Sequence, residues 1–170
     1  MPLNHLHIRI YGDPILRKKS QLVEEVGTAE RMLIASMIET MHQHKGVGLA
    51  GVQVGINQRI FVYDIGEGPR VVINPQILRK SGSAVQEEGC LSIPGVVIPI
   101  KRAAAIRVKY VDENNNAVEQ DLKDLAARVF QHETDHLNGK LIIDYVGWRQ
   151  RLKLSQQLKK LGKNVMRTEV

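Results

Sequence analysis

The residues best suited to do chemistry lie in the run His132-Glu133-Thr134-Asp135-His136. Side chains four residues apart on a helix lie above one another, so the two imidazoles could bind a single divalent metal ion. Glu133 would stand about 100° round the helix axis from the first histidine. This spacing is typical of zinc hydrolases in which the glutamate is the general base. The alternative is a helix that carries two core histidines.

The flanking residues favour a helix from residue 124 to 138. At about 100° per residue, one face of that helix combines the histidines with apolar residues. This face carries Leu125, Val129, His132, Glu133 and His136. The opposite face carries Arg128, Gln131 and Asp135, which are predicted to point away from the core. Asp124 is the predicted N-cap, and Asn138-Gly139 is the predicted end of the helix.

A metal site that does chemistry needs a third protein ligand and one open position. The only cysteine, Cys90, follows Glu87, Glu88 and Gly89 and cannot form an internal disulfide. One thiolate with two imidazoles is a ligand set that zinc or ferrous iron accepts. Gly89 permits a close backbone approach, and the two carboxylates could hydrogen-bond to surrounding groups. The alternative is that Cys90 is a small buried hydrophobe.

A third segment, residues 46–55, contains four glycines and one polar side chain, Gln53. A phosphate-binding loop is an alternative, but the segment lacks a Gly-Lys-Ser/Thr ending and the spacing of a dinucleotide fingerprint. Gln53 would either satisfy a turn or donate a hydrogen bond to a substrate oxygen.

Taken together, the three segments resemble those of the peptide deformylases, which remove the formyl group from the N-terminal formylmethionine of new polypeptides. The resemblance includes Glu88-Gly89-Cys90-Leu91-Ser92 and the run from Gln131 to Gly139, both complete. It extends to residues 12–17, Ile73-Asn74-Pro75 and Arg102, and so spans nearly the whole chain. The glycine-rich segment departs from the family pattern at Gly51, where the family usually has alanine.

This resemblance implies a role for each site residue. Cys90, His132 and His136 would hold one divalent metal, with Fe²⁺ favoured in the cell and Ni²⁺, Co²⁺ or Zn²⁺ able to replace it. Glu133 would act as general base on a water molecule, and the Gln53 amide and Leu91 N–H would stabilise the oxyanion. The remaining residues would receive the N-formylmethionyl peptide: Val47, Gly48, Leu125 and Val129.

Two other classes of protein share parts of this pattern. A metalloprotease with the two-histidine motif would usually take another histidine or a glutamate as its third ligand. A structural metal site would need four protein ligands. The nearest spare histidines, His42 and His44, do not stand in ligand spacing with the other three residues.

The composition suits one globular domain: 170 residues, 43% hydrophobic and 25% charged. No apolar run approaches the roughly 20 residues of a membrane helix, and the N-terminus lacks a signal-peptide pattern. A single thiol fits a reducing compartment. We therefore expect a cytoplasmic protein that does not contact membranes.

The net charge of +6 is concentrated in residues 148–170, which carry seven basic residues and one acidic residue. Leu154, Leu158 and Leu161 recur there at helical spacing, which predicts a basic amphipathic helix. The helix either docks on the domain with a solvated charged face or contacts RNA. The family resemblance favours contact with the ribosome, since deformylases act on chains leaving it.

The predicted fold is α+β, with antiparallel or mixed sheets packed around the central His-Glu-x-x-His helix and a C-terminal helix. Residues 1–147 are predicted to form a single catalytic domain, and residues 148–170 a helix packed on it or extending from it. Helices are predicted from Asp13 to Ser20 and from a cap at Thr28 to Gly46. Strands are predicted at residues 59–65, 70–74, 96–100, 105–112 and 117–122, and a short one from Leu141.

Overall fold

The computed structural model describes residues 6–168, with side chains through residue 163. The predicted catalytic domain (residues 1–147) and the predicted C-terminal helix (residues 148–170) extend beyond this range, at residues 1–5 and at residues 169 and 170. Residues 6–168 form three α-helices: α1 (Thr28–Gln43), α2 (Asp124–Leu137) and α3 (Trp148–Thr168). The strands are β1 (Gly48–Ala50), β2 (Ile60–Tyr63), β3 (Arg70–Ser81), β4 (Ala84–Glu88), β5 (Ile98–Arg102), β6 (Ala105–Val111) and β7 (Ala117–Lys123). Short 3-10 helices span Pro14–Arg17, Gly51–Val54 and Ile142–Tyr145.

The strands form two antiparallel sheets. The larger has five strands in the order β1-β2-β3-β6-β7, and the smaller pairs β4 with β5. Successive side chains of a strand point to opposite faces. Accordingly, Phe61 and Tyr63 of β2 pack on one face, while Ile60 and Val62 pack on the other. The five-stranded sheet can therefore bury both faces, one under α1 and the other under α2.

Helix α2 is the central element of the fold. Phe130 packs against Phe61 of the five-stranded sheet with the rings edge to face, 5.1 Å apart. On its other side, α2 bonds to the β4–β5 pair through Arg128, which donates to the carbonyls of Ala84 and Ile100. The predicted α+β arrangement around this helix, with antiparallel sheets, is confirmed.

Helix α3 covers a third apolar cluster beside the small sheet. Leu158 is buried, and Leu154 and Leu161 pack partly against the same cluster as Ile93 and Ile98. Gln157 also donates a hydrogen bond to the carbonyl of Gly95. Within the described residues, no helix is long and apolar enough to cross a membrane.

Several predicted boundaries are wrong. Lys123 is the N-cap of α2, and Asp124 is its first residue, with a φ of 50°. Thr28 likewise begins α1 instead of capping it. The strand predicted from Leu141 is a 3-10 helix whose first turn is held by Asp144, which accepts from the Leu141 N–H. The helix predicted over Asp13–Ser20 is a single 3-10 turn that Asp13 caps.

The prediction that one face of α2 points outward is also wrong. Arg128 and Gln131 are 6% and 5% exposed. The small sheet and the segment entering β6 cover this face, and Gln131 both accepts from the Ala103 N–H and donates to the Ala103 carbonyl. A helix between two sheets is buried nearly all round, so its polar residues must be bonded and not solvated.

Candidate metal centre

The two elements that meet at the centre are α2 and the segment that follows β4. Helical spacing stacks His132 and His136, whose Nε2 atoms are 3.2 Å apart. Cys90 lies two residues beyond the end of β4, and its Sγ is 3.3 Å from Nε2 of His136. One ligand atom from each of the three residues lies within 4.8 Å of the other two. Such convergence of a thiol and two imidazoles fits a single divalent ion of the zinc or ferrous type.

The tautomer of His132 suits it to bind a metal. Its Nδ1 lies 2.9 Å from Oε2 of Glu88. An ionised carboxylate can only accept, so Nδ1 carries a hydrogen, and Nε2 is the nitrogen that a metal would take. Burial raises the pKa of Glu88, but the hydrogen bonds from His132 and Arg102 outweigh it and lower that pKa to about 2.

Two buried guanidinium groups hold Glu88 in place. Arg102 donates to both carboxylate oxygens at 2.6 and 2.9 Å, and Arg128 donates to Oε1 at 2.6 Å. Arg102 also donates to Asp135, 2.9 Å away, which ties the small sheet to α2 a second time. We call this set of Glu88, Arg102 and Arg128 the guanidinium clamp. Because both charged guanidinium groups bond to the Glu88 carboxylate, the orientation of His132 is fixed by the folded chain.

Glu133 lines the same pocket as Cys90 and His132. Its side chain is buried, and its Oε2 has no hydrogen-bond partner within the described part of the chain. Burial raises the pKa of Glu133 to about 7. A carboxyl group with a pKa near the working pH can both take up and release a proton.

The backbone of Gly48 approaches the Glu133 carboxylate so closely that a side chain there would collide with it. A Cβ built at Gly48 would overlap Oε1 of Glu133 and lie 2.8 Å from its Cδ. Gly48 does not lie in the left-handed region, so this restriction comes from contact alone. The glycine-rich segment therefore shapes the carboxylate's position.

Substitution Gly48→Ala is expected to lower turnover at this centre at least about tenfold, because small misplacements of a reacting group reduce rates steeply. The measurement is kcat at equal metal content, with the formylated peptide that the sequence resemblance implies as substrate. Gly89→Ala is the matched control, since a Cβ there makes only an ordinary 3.8 Å contact in the same pocket. If both variants turned over at the parent rate, Gly48 would not be needed to position Glu133.

Two hydrogen-bond donors face the same region. The Gln53 amide is fixed at both ends: its Oε1 accepts from the Ala50 N–H, and its Nε2 donates to Ser92 Oγ at 3.2 Å and Cys90 Sγ at 3.5 Å. The Leu91 N–H has no acceptor among the described residues. Both donors are therefore already in place to bond to an oxygen that develops negative charge in this pocket.

A pocket of about 370 Å³ opens onto these groups. All the predicted site residues except His136 line it, including Val47, Gly48, Leu125 and Val129. Val129 is buried at its floor, whereas Val47 and Leu125 are about half exposed at its rim. His136 lies behind Cys90 and is almost fully buried.

Arg128, which the helical wheel placed on the outward face of α2, also lines this pocket. It stands one helical turn before His132 and so presents a charged group beside the apolar Val129 and Leu125. The feature of the sequence that could have indicated a buried Arg128 is the pair of glutamates at positions 87 and 88. A buried arginine needs an acceptor, and Glu88 was the carboxylate already expected near the centre.

The chain is similar to known proteins over most of its length. The family model of polypeptide deformylase matches residues 5–151. The chain is similar to a peptide deformylase from Thermotoga maritima, with 48% identity over 161 residues, which are 94% of this chain and 98% of the relative. The crystal structure of peptide deformylase from Thermotoga maritima has a TM-score of 0.83 at 50% identity and covers 85% of this chain and 99% of that one. A peptide deformylase structure from Legionella pneumophila gives a TM-score of 0.89 at 35% identity, over 96% and 99% of the two chains.

Proposed function

Since this chain belongs to the polypeptide deformylase family, whose members remove the formyl group from the N-terminal formylmethionine of nascent polypeptides, we propose a role for each residue of its metal centre. The enzyme is a metal-dependent hydrolase that releases formate. Cys90, His132 and His136 hold the metal, and Glu133 is the general base. The observation that carries this assignment is the convergence of the three ligand atoms beside a buried, unpaired carboxylate oxygen.

The chemistry divides between the metal and the chain. The bound metal supplies a Lewis acid that activates water and polarises the formyl carbonyl. Glu133 takes the proton from the attacking water, and then delivers it to the nitrogen of the departing amine. Gln53 Nε2 carries two hydrogens: one is donated to Ser92 Oγ, and the other, which contacts Cys90 Sγ at 3.5 Å, is the one presented to the substrate oxygen.

The Leu91 N–H is the second donor to that oxygen. Neither donor needs to reorganise, because Ala50 and Ser92 hold the amide of Gln53 while the backbone holds Leu91. Preorganised donors of this kind contribute roughly 3–4 kcal/mol each to transition-state stabilisation. The methionine side chain enters the pocket between Val47, Leu125 and Val129.

This function predicts formate release that depends on the metal. Removing the metal with a chelator should lower formate release from a formyl-Met tripeptide at least about 100-fold, and adding Fe²⁺, Ni²⁺, Co²⁺ or Zn²⁺ should restore it. The measurement is formate produced per mole of bound metal. A metalloprotease would cleave an internal peptide bond of the unformylated peptide instead. A structural metal site would give neither product.

We further propose that Fe²⁺ is the metal used in the cell and that the enzyme works in the cytoplasm. A thiolate with two imidazoles accepts ferrous iron, and Ni²⁺, Co²⁺ or Zn²⁺ can take the same position. Cys90 is partly exposed, and a thiolate on ferrous iron is open to oxidation. A reducing compartment protects such a ligand.

The C-terminal helix is proposed to dock the enzyme on the ribosome. Lys153, Lys159, Lys160 and Lys163 are exposed, while the leucines between them pack against the body. Contacts between such lysines and RNA phosphates release counterions and weaken as salt rises. We also propose that the chain divides at residue 148 into a catalytic body and a docking helix.

Replacing these four lysines with glutamine should weaken ribosome binding while leaving kcat for a short formylated peptide within about twofold. Truncation is a poorer test, since it would uncover the cluster that contains Leu16 and Ile93. Co-sedimentation with ribosomes across a salt series is the measurement. A control with four exposed basic residues changed elsewhere, Lys18, Arg31, Arg70 and Lys123, should bind as the parent does. If the control loses as much binding as the helix variant, the helix has no special role.

A further inference from the structure

A second cavity, of about 800 Å³, lies on the side of α2 that faces away from the metal centre. Gln131, Thr134 and Asn138 line it, and the helical repeat turns these residues away from His132. Its other walls come from β3, from the end of β5 and from the residues that follow α2. Nothing in the proposed chemistry uses this space.

Positive charge dominates the lining. Arg59, Lys80, Lys101 and Lys140 all line the cavity. None of the four has a carboxylate within ion-pair distance among the described residues. The one carboxylate in the lining, Asp135, is already paired with Arg102. The cavity therefore holds four cationic groups without a compensating anion.

Arg59 is the least ordinary of these groups. It is half-buried, and burial lowers its pKa. Its Nη1 donates only to neutral acceptors, the Leu137 carbonyl at 3.2 Å and Asn138 Oδ1 at 3.0 Å. The hydroxyl of Thr134, a nearly buried residue of the same lining, has no partner in the described chain. A half-buried cation bonded only to neutral acceptors and a buried hydroxyl without a partner among the described residues would both be stabilised by an anionic ligand.

The lining offers charge but no platform for a nucleobase. Tyr145 is its one aromatic residue, and the Nζ of Lys140 lies over that ring, 3.8 Å from its centre. The phenol oxygen is also engaged, since it donates to Asp135 at 2.6 Å. Recognition of bases depends on stacking and on base-edge contacts, whereas cations of this kind bind phosphates regardless of sequence.

We propose that this cavity binds phosphate groups, with Lys80, Lys101 and Arg59 as the principal contacts. Its volume exceeds that of one phosphate, which favours consecutive phosphates of a single-stranded RNA backbone over a free phosphate ion. The site is separate from the basic helix α3, because its cations belong to β2–β3, β5 and the segment after α2. It would give the catalytic body its own contact with RNA.

The test compares the full-length, metal-loaded enzyme with the double variant Lys80→Gln/Lys101→Gln. Both lysines are exposed and lie outside the catalytic machinery, so kcat for a formylated peptide should stay within about twofold. Titration calorimetry with a mixed-sequence, single-stranded RNA hexamer is run across a salt series. Loss of two phosphate contacts should weaken binding at least about tenfold at low salt, and should reduce the slope of log K against log salt by about 1.4.

Arg31→Gln/Arg70→Gln is the matched control, since it removes the same charge from two exposed residues outside the cavity. The control should bind RNA as the parent does. A parallel titration with inorganic phosphate distinguishes the sources: binding of the ion alone at the same lysines would assign the cavity to free phosphate. The proposal is overturned if neither probe binds, if the lysine variant binds as tightly as the parent, or if the control loses as much affinity.

Discussion

Glu133→Gln is expected to keep the metal and to lose at least about 100-fold in kcat, because general-base catalysis typically contributes 10² to 10⁴. The amide is nearly the same size as the carboxylate, so it should fit beside Gly48 without moving the backbone. It cannot accept the proton from water. Metal content by elemental analysis and formate release from a formyl-Met peptide are measured on the same sample.

Glu87→Gln is the control for this experiment. Glu87 lines the same pocket but is exposed and belongs to no proposed step. This control should retain the parent rate, which would show that removing a negative charge from the pocket is not enough to stop turnover. A Glu133→Gln enzyme that deformylates near the parent rate would exclude Glu133 as the base.

The second large effect is expected at Cys90. Cys90→Ser should lower metal affinity and activity together, because the hydroxyl is a poor replacement for a soft, easily ionised thiolate. Loss of residues that merely support a metal ligand costs about 10- to 100-fold in affinity or activity, so loss of a ligand itself should cost about 100-fold or more. Competition with a chelator of known affinity measures the metal affinity, and formate release measures the activity.

Cys90→Ala separates this role from that of a small buried hydrophobe. Alanine fits the partly exposed site and removes the sulfur, so the metal-free forms of both variants should unfold near the temperature of the metal-free parent. Affinity for the metal should fall in Cys90→Ala at least as far as in Cys90→Ser. Full occupancy and full activity in either variant would return Cys90 to a packing role.

The sequence was sufficient to predict α2 because its signals are local. The four-residue spacing of His132 and His136 places both side chains on one face of any helix, whatever surrounds it. The same holds for the β6–β7 hairpin, where Asp112 accepts from the N–H groups of Asn114 and Asn116 between the two predicted strands. Both predictions needed only residues close together in the chain.

What the sequence did not predict depends on distant partners. Arg128 looks like a solvated residue on a helical wheel, and its burial is explained by partners distant in the chain, among them Glu88, forty residues away. Strand β4, Ala84–Glu88, has too few apolar residues to be recognised as a strand from its own sequence. It is stabilised by pairing with β5, which is distant in the chain. The second cavity was equally invisible, because Lys80, Lys101 and Lys140 come from three separate elements.

The guanidinium clamp has a thermodynamic consequence for how metal enters and leaves. Cys90 and His136 are 46 residues apart in the chain. Bringing them together costs conformational entropy, and the clamp together with the packing of α2 makes that loss part of folding. Zinc fingers, in contrast, fold only when the ion binds. The clamp and the packing of α2 consist of contacts within the chain, so we expect ion affinity to be reduced less by folding than in a zinc finger. We then expect replacement of one metal by another to be governed by ligand exchange and not by the rate of unfolding.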